Sequence, residues 1–63
     1  MYPEVPVSTI TVGEFINDYN TGYAGIATDV RTETFEGKEY VVIDVDDCGE
    51  LWYFPTTLIG VAR

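Results

Sequence analysis

The densest group of reactive side chains runs from Asp44 to Glu50 and reads D-V-D-D-C-G-E. Acids at its first and third positions and glycine at its sixth are the start of a calcium-binding loop. The fifth position is Cys48, however, and the twelfth is Pro55, where such a loop needs a bidentate glutamate. We therefore interpret the segment as a solvated hairpin turn and expect neither a metal site nor a cofactor.

Cys48 is the only cysteine and lies among Asp46, Asp47 and Glu50. Negative neighbours oppose formation of a thiolate, so this thiol should be a poor nucleophile. The chain has no histidine, which is the side chain most often used as a general base. We predict that the protein has no catalytic residues and is not an enzyme. A lone cysteine also excludes an internal disulfide and is typical of a reducing compartment.

The 63-residue chain carries eleven acidic and three basic residues, for a net charge of −8. Contacts with nucleic acid or anionic lipid need clustered lysine and arginine, so we expect no direct nucleic-acid binding and no membrane binding. A neutral or basic protein surface is the expected partner, although the acidity could serve solubility alone. No apolar run approaches the ~20 residues of a membrane span, and the N-terminal residues lack a signal-peptide pattern. We therefore expect cytoplasmic residence.

The stretch from Gly49 to Val61 reads G-E-L-W-Y-F-P-T-T-L-I-G-V and concentrates the aromatic residues. In a strand, Trp52 and Phe54 share one face while Leu51 and Tyr53 share the other, and a small domain buries only one face. Exposed rings rimmed by acids are typical of protein interfaces. The alternative is that Trp52 and Phe54 fill the core. The candidate binding residues are Tyr19, Tyr23, Tyr40, Trp52 and Tyr53 for contact, with Asp29, Glu33, Asp44, Asp46 and Asp47 for charge.

The acids also permit a second hypothesis. Asp29 and Glu33 share one strand face, and Asp44 and Asp46 share a face of the next strand. Alternate strand residues are about 6.6 Å apart, which is close to phosphate spacing. An acidic sheet can therefore imitate nucleic acid and inhibit a host protein that binds DNA or RNA. A third hypothesis is a small subunit of a larger complex, and a homodimer is a further arrangement that the sequence leaves open.

Five short strands are predicted, separated by turn residues. The interval 25–34 alternates, with Ile26, Thr28, Val30 and Thr32 on one face and Ala27, Asp29, Arg31 and Glu33 on the other. In 40–46, Val41, Ile43 and Val45 should face the core, whereas Tyr40, Val42, Asp44 and Asp46 face out. The predicted strands are 14–19, 25–34, 40–46, 51–54 and 59–62, with a hairpin tip at 35–38 and one turn of 3₁₀ helix at 55–58. Residues 1–11, with Pro3 and Pro6, are expected to form an extended N-terminal arm before a domain at 12–63.

The order of these elements resembles an SH3-like small β-barrel of the KOW-type branch. The segment V-G-E-F-I at 12–16 is similar to the opening strand of that branch, and T-G-Y-A-G-I at 21–26 resembles the turn that follows it. F-P-T-T-L-I at 54–59 is similar to the proline-led turn before the last strand of SH3 domains. The resemblance implies an all-β, five-stranded barrel in an acidic prokaryotic or phage protein. It does not extend to function, because KOW-type modules that bind RNA are basic and peptide-binding SH3 domains carry an A-L-Y-D-Y segment absent here.

Together these patterns predict a non-catalytic, acidic protein-binding module.

Overall fold

The computed structural model describes residues 1–63 as one antiparallel sheet of six strands. No α-helix is present, and one turn of 3₁₀ helix covers Val7–Thr9. The strands are β1 Glu4–Pro6, β2 Phe15–Asn17, β3 Ala24–Phe35, β4 Lys38–Val45, β5 Gly49–Tyr53 and β6 Leu58–Val61. Along the sheet they lie in the order β1-β6-β2-β3-β4-β5.

The all-β class is confirmed, and each predicted strand is present with ends displaced by one or two residues. The tip between β3 and β4 forms where expected, with Phe35 paired to Lys38. Both central residues have positive φ, 52° at Glu36 and 76° at Gly37. This is the geometry of a type I′ turn, whose twist matches that of the flanking strands.

The alternation predicted for β3 is broken at Thr28. Ala27 pairs with Val45 and Asp29 pairs with Asp44, so Thr28 is an extra residue in the ladder. Such a bulge bends the strand and changes which side chains face inward. Ala27 is therefore buried before the bulge, while Val30 packs against the core after it. The single face expected to carry Ile26 and Val30 together does not exist, because Ile26 is exposed.

The core lies inside the curved sheet and draws on nearly every strand. Val41, Ile43 and Val45 face it as predicted, opposite residues of β2 and β6. Its nine buried members are Val7, Ile10, Ile16, Ala27, Val41, Ile43, Val45, Ile59 and Val61. The prediction of a closed five-stranded barrel differs from this sheet, which has six strands and is not closed. Its two edges are β1 and β5, and no ladder joins them.

The sixth strand comes from the N-terminal segment. It is extended as expected, but it pairs with β6 through Val5 and Ile59. Pro3 and Pro6 are tolerated because one side of an edge strand needs no donors. Val7 follows in the 3₁₀ turn and is completely buried. The segment therefore contributes both a strand and core residues.

The 3₁₀ turn expected at 55–58 is instead a β-turn, closed by a hydrogen bond from the Thr57 amide to the Phe54 carbonyl at 3.0 Å. The reason lies in the N-terminal segment. The amides of Val7 and Ser8 donate to the carbonyls of Thr57 and Pro55, at 2.8 and 3.4 Å. These two carbonyls therefore accept hydrogen bonds from the N-terminal segment, and residues 55–58 do not continue as a 3₁₀ helix.

Candidate functional site

Nine neighbouring side chains lie together on the outward side of β3 and β4 and of the segment from β5 to Phe54, and we call them the outer face. Cross-strand pairing sets its rows. Asp29 lies opposite Asp44, which lies opposite Glu50, and in the next row Arg31 lies opposite Val42, which lies opposite Trp52. The full outer face comprises Asp29, Arg31, Glu33, Tyr40, Val42, Asp44, Glu50, Trp52 and Phe54.

Arg31 is the only cation of the outer face, and four carboxylates converge on it. Its Nη1 donates to Asp29 Oδ2 at 2.9 Å and to Asp44 Oδ2 at 3.3 Å. Its Nε donates to Glu33 Oε2 at 3.2 Å, and its Nη2 donates to Glu50. The hydrogen bond to Asp29, followed by those to the other acids, raises the pKa of Arg31 above its ordinary value. The guanidinium therefore stays charged and is held by all three strands.

The aromatic half of the outer face is a cluster of three rings. Tyr40 meets Trp52 edge-on with ring centroids 5.5 Å apart and stacks on Phe54 at 5.4 Å. Trp52 is 45% exposed and Phe54 is 54% exposed. Such ring pairs contribute about 0.5–1.5 kcal/mol beyond their buried area. The rings form a fixed apolar surface that remains open to solvent.

Glu50 links the ionic and aromatic halves. Its Oε1 accepts a hydrogen bond from the Trp52 indole Nε1 at 2.7 Å, and its Oε2 accepts from Arg31. The indole hydrogen bond, aided by the guanidinium, lowers the pKa of Glu50 below its ordinary value despite partial desolvation. The orientation of Trp52 is thus coupled to the charge cluster.

Val42 lies at the centre of the outer face and has no exposed surface. It points outward as predicted, but it does not belong to the main core. The rings and Arg31 surround it, so this face of the sheet has a small buried cluster of its own. The outward direction predicted for Val42 is confirmed, and its neighbours on the outer face cover it.

The other predicted contact residues lie elsewhere. Tyr53 points inward and packs against the core, so the structure separates it from Trp52. The Tyr19 ring lies over Gly60, and its hydroxyl accepts the Tyr2 amide at 2.8 Å. Asp46 and Asp47 are exposed in the β4–β5 turn, beyond the end of the outer face. The structure therefore brings together Tyr40 and Trp52 with Asp29, Glu33 and Asp44.

Tyr23 faces a second feature, which we call the edge groove. This open groove is lined by Asp18, Thr21, Tyr23, Glu50, Leu51, Trp52 and Tyr53. Asp18 is only 5% exposed at its base. The Tyr53 hydroxyl donates to Asp18 Oδ2 at 2.8 Å, and the amide of Asn20 donates to Oδ1 at 2.9 Å. Burial raises the pKa of Asp18, but these donors outweigh it and the net pKa is lowered.

Phe54, Glu50, Arg31 and Val42 belong to the outer face and were not among the predicted site residues. The first two have a sequence signal, because Glu50 and Phe54 flank Trp52 at a spacing of two and so share its face. The same spacing places Arg31 on one face with Asp29 and Glu33, and Val42 on one face with Tyr40 and Asp44. Their positions depend on the register between β3 and β4, which the bulge at Thr28 sets.

The groups of acids do not form a metal centre. No three carboxylate or thiol side chains are arranged so that they could hold a metal ion. The Cys48 thiol is partly buried and lies 3.7 Å from the Ala24 carbonyl oxygen, to which it donates.

Comparison with protein-family models, with curated proteins and with solved structures finds no match to this chain. None of its helical residues forms a segment that is long and apolar enough to span a membrane.

Proposed function

We propose that the protein is a non-catalytic binding module whose outer face docks on a basic or mixed protein surface. The observation that carries this proposal is the ring cluster of Tyr40, Trp52 and Phe54, which is ordered and yet open to solvent. Contiguous exposed apolar patches rimmed by polar residues are typical of interaction sites. Aromatic residues are also the usual anchors of protein–protein contacts.

The surrounding acids supply orientation and steering. Four carboxylates and one guanidinium leave the ionic half of the outer face with an excess of negative charge. Charge of one sign beside an apolar patch accelerates encounter with a partner of opposite sign and weakens with added salt. The rings are already held in place by their mutual contacts, so little conformational entropy is lost when they dock.

The SH3-like relationship is part of the proposal. Its support is the order β6-β2-β3-β4-β5, in which the last strand returns beside the first of the five, and the bent strand β3 shared by both halves. The N-terminal strand β1 is then an addition to that arrangement. The relationship concerns the fold only and assigns no ligand.

The test compares partner capture by three forms of the protein in extracts of its source cells. Trp52→Ala should abolish capture of the specific partner, since truncating a central aromatic anchor costs at least about 2 kcal/mol, or more than tenfold in affinity. Phe35→Ala is the matched control, because Phe35 is an exposed ring at the hairpin tip, one row beyond the nine residues of the outer face. It should capture the partner as the natural protein does.

A further variant separates this function from mimicry of nucleic acid. Asp44→Asn with Asp46→Asn should only slow association if the rings are the anchors. If that double variant abolishes capture while Trp52→Ala preserves it, charge is the determinant and the acidic inhibitor becomes the better assignment. Equal capture by all variants would refute the outer face as the docking site.

A further inference from the structure

We propose that the edge groove binds an arginine or lysine side chain carried by an extended segment of the partner, and that this segment pairs with β5. The inference rests on the proposed function for the identity of the partner as a basic protein. It adds a second contact region, and it specifies the chemistry that this region recognises.

The lining of the groove places it along the free edge of β5. Four consecutive residues, Glu50 to Tyr53, line the groove. Consecutive strand residues point to opposite faces, so a groove that touches all four must follow one edge of the strand. The other edge is occupied by β4, which is the only strand that pairs with β5.

The backbone of β5 is open on the groove side. None of its five residues takes part in a backbone hydrogen bond outside the strand ladder, and no side chain bonds to its backbone groups. Half of the N–H and C=O groups of an edge strand point away from its neighbour and can receive a further strand. The unpaired groups lie next to the rings and acids of the groove.

The two sheet edges are protected differently. The edge strand β1 is three residues long and ends at Pro6, with Pro3 just before it. Short length and proline are the usual means of preventing strand addition. In contrast, β5 has five residues and contains no proline. The β1 edge is therefore protected against the addition of a further strand, whereas the β5 edge can accept one.

The groove fits a cation with an apolar stem. Tyr23, Trp52 and Tyr53 supply rings, and a cation over a ring face gains about 0.5–2 kcal/mol. Asp18 supplies a carboxylate that has hydrogen-bond donors but no cationic partner, because every ion pair of the protein involves Arg31 or Arg63. A guanidinium or ammonium group would add the missing positive charge.

Charge also selects a basic segment over a second copy of this chain. Two copies joined edge to edge through β5 would bring together two molecules of charge −8. Each would also present Glu50 at the junction, next to the exposed Asp46 and Asp47 of the turn. Like charges facing one another across a strand pair are destabilising. A basic segment would meet the same acids with attraction.

The experiment titrates the isotope-labelled protein with an acetylated and amidated heptapeptide of alternating threonine and valine around a central arginine. We expect saturable shifts of the backbone amides of Gly49 to Tyr53, together with slower hydrogen exchange of the β5 amides that face the groove. A second peptide replaces arginine with citrulline, which has nearly the same shape and no charge. It should bind about tenfold more weakly or worse, since a charge-assisted hydrogen bond and a cation–π contact are lost.

Two controls test the parts of the proposal separately. A peptide with N-methyl groups on the amides that would face β5 cannot form the ladder, and it should lose binding although its arginine is intact. Tyr23→Ala should weaken binding of the arginine peptide, whereas Phe35→Ala should leave it unchanged. Tyr23 is an exposed residue and its backbone contact with Asp18 is retained in the variant, so folding should survive.

Several outcomes would overturn the inference. They are the absence of shifts up to about 5 mM peptide, equal affinity for the citrulline peptide, or concentration-dependent self-association that protects β5 without peptide. Failure of the outer face gives a different pattern, which Phe54→Ala reveals because Phe54 belongs to the outer face and does not line the groove. That variant would then leave partner capture intact, while Tyr23→Ala would reduce it. Loss of capture with Trp52→Ala, combined with no peptide binding, would retain the outer face and remove only the groove.

Discussion

At the residue scale, the pair of Asp18 and Tyr53 shows how a charge is kept inside so small a protein. A buried carboxylate is unfavourable unless donors compensate for the lost water. The Tyr53 hydroxyl and the amides of Asn20 and Thr21 supply three hydrogen bonds to Asp18. In turn, burial and the bond to Asp18 raise the pKa of Tyr53. The pair fixes the β2–β3 turn against β5 and so forms the base of the edge groove.

Tyr53→Phe should destabilise the protein by about 1–3 kcal/mol at neutral pH, because Asp18 keeps its charge and loses a donor. The folded pKa of Asp18 lies below its ordinary value of 3.8, so its contribution is present above pH 3.8 and is lost as pH falls through the folded pKa. The difference between variant and natural protein should therefore shrink in acid. Urea unfolding at several pH values measures it.

The control for this prediction is Tyr23→Phe. Tyr23 lines the same groove, but its hydroxyl makes no hydrogen bond within the protein. Its removal should change the free energy of unfolding by less than about 0.5 kcal/mol. Equal losses for the two variants, or a loss in Tyr53→Phe that does not vary with pH, would contradict the role of Asp18.

At the element scale, the strands and hairpins could be predicted because they depend on local patterns. Period-two alternation in β4 and turn residues at Glu36 and Gly37 act within a few residues. The bulge at Thr28 and the pairing of β1 with β6 depend on contacts between distant segments, which alternation does not encode. The same limit applies to the site. Sequence spacing places Trp52 and Phe54 on one face, yet only the register of β3 brings Arg31 beside them.

A pair of neighbouring substitutions tests whether the N-terminal segment is part of the folded unit. Val7→Ala should cost about 2 kcal/mol, because it removes two fully buried methyl groups from the core. Ser8→Ala changes an exposed residue of the same 3₁₀ turn and should stay within about 0.5 kcal/mol. Thermal unfolding of the two variants gives the comparison. Similar stabilities would mean that the segment is only loosely attached.

At the scale of the whole molecule, charge is the dominant feature. Eleven acids are spread over a body of 34 × 21 × 20 Å, and only Arg31 and Arg63 form ion pairs with them. Self-repulsion of this kind opposes the compact state. Glu14 is an exception, since hydrogen bonds from Arg63 and then from Thr11 lower its pKa to about 2. Four further acids share the single charge of Arg31, and Asp18 has only neutral donors. The acids without an ion pair or such donors are Glu4, Glu36, Glu39, Asp46 and Asp47.

Added salt should consequently stabilise the protein. Raising sodium chloride from about 20 mM to about 0.5 M should increase the melting temperature by roughly 3–8 °C at neutral pH. Asp46→Asn with Asp47→Asn should reduce that gain, and asparagine suits the positive φ of 65° at Asp47. A melting temperature that falls with salt would show that the ion pairs of Arg31 and Arg63 outweigh the repulsion.

The extra residue at Thr28 has a consequence for how this chain can vary in length. Ala27 faces the core before the bulge and Val30 faces it after the bulge. The inward side chains of β3 are therefore at odd-numbered positions before the bulge and at even-numbered positions after it. Removing or adding one residue between Ala27 and Val30 would move the inward side chains of one half of β3 to the opposite face of the sheet. Length changes at the Glu36–Gly37 tip would leave the inward and outward positions of β3 unchanged. Substitutions can therefore accumulate along β3 far more easily than insertions or deletions.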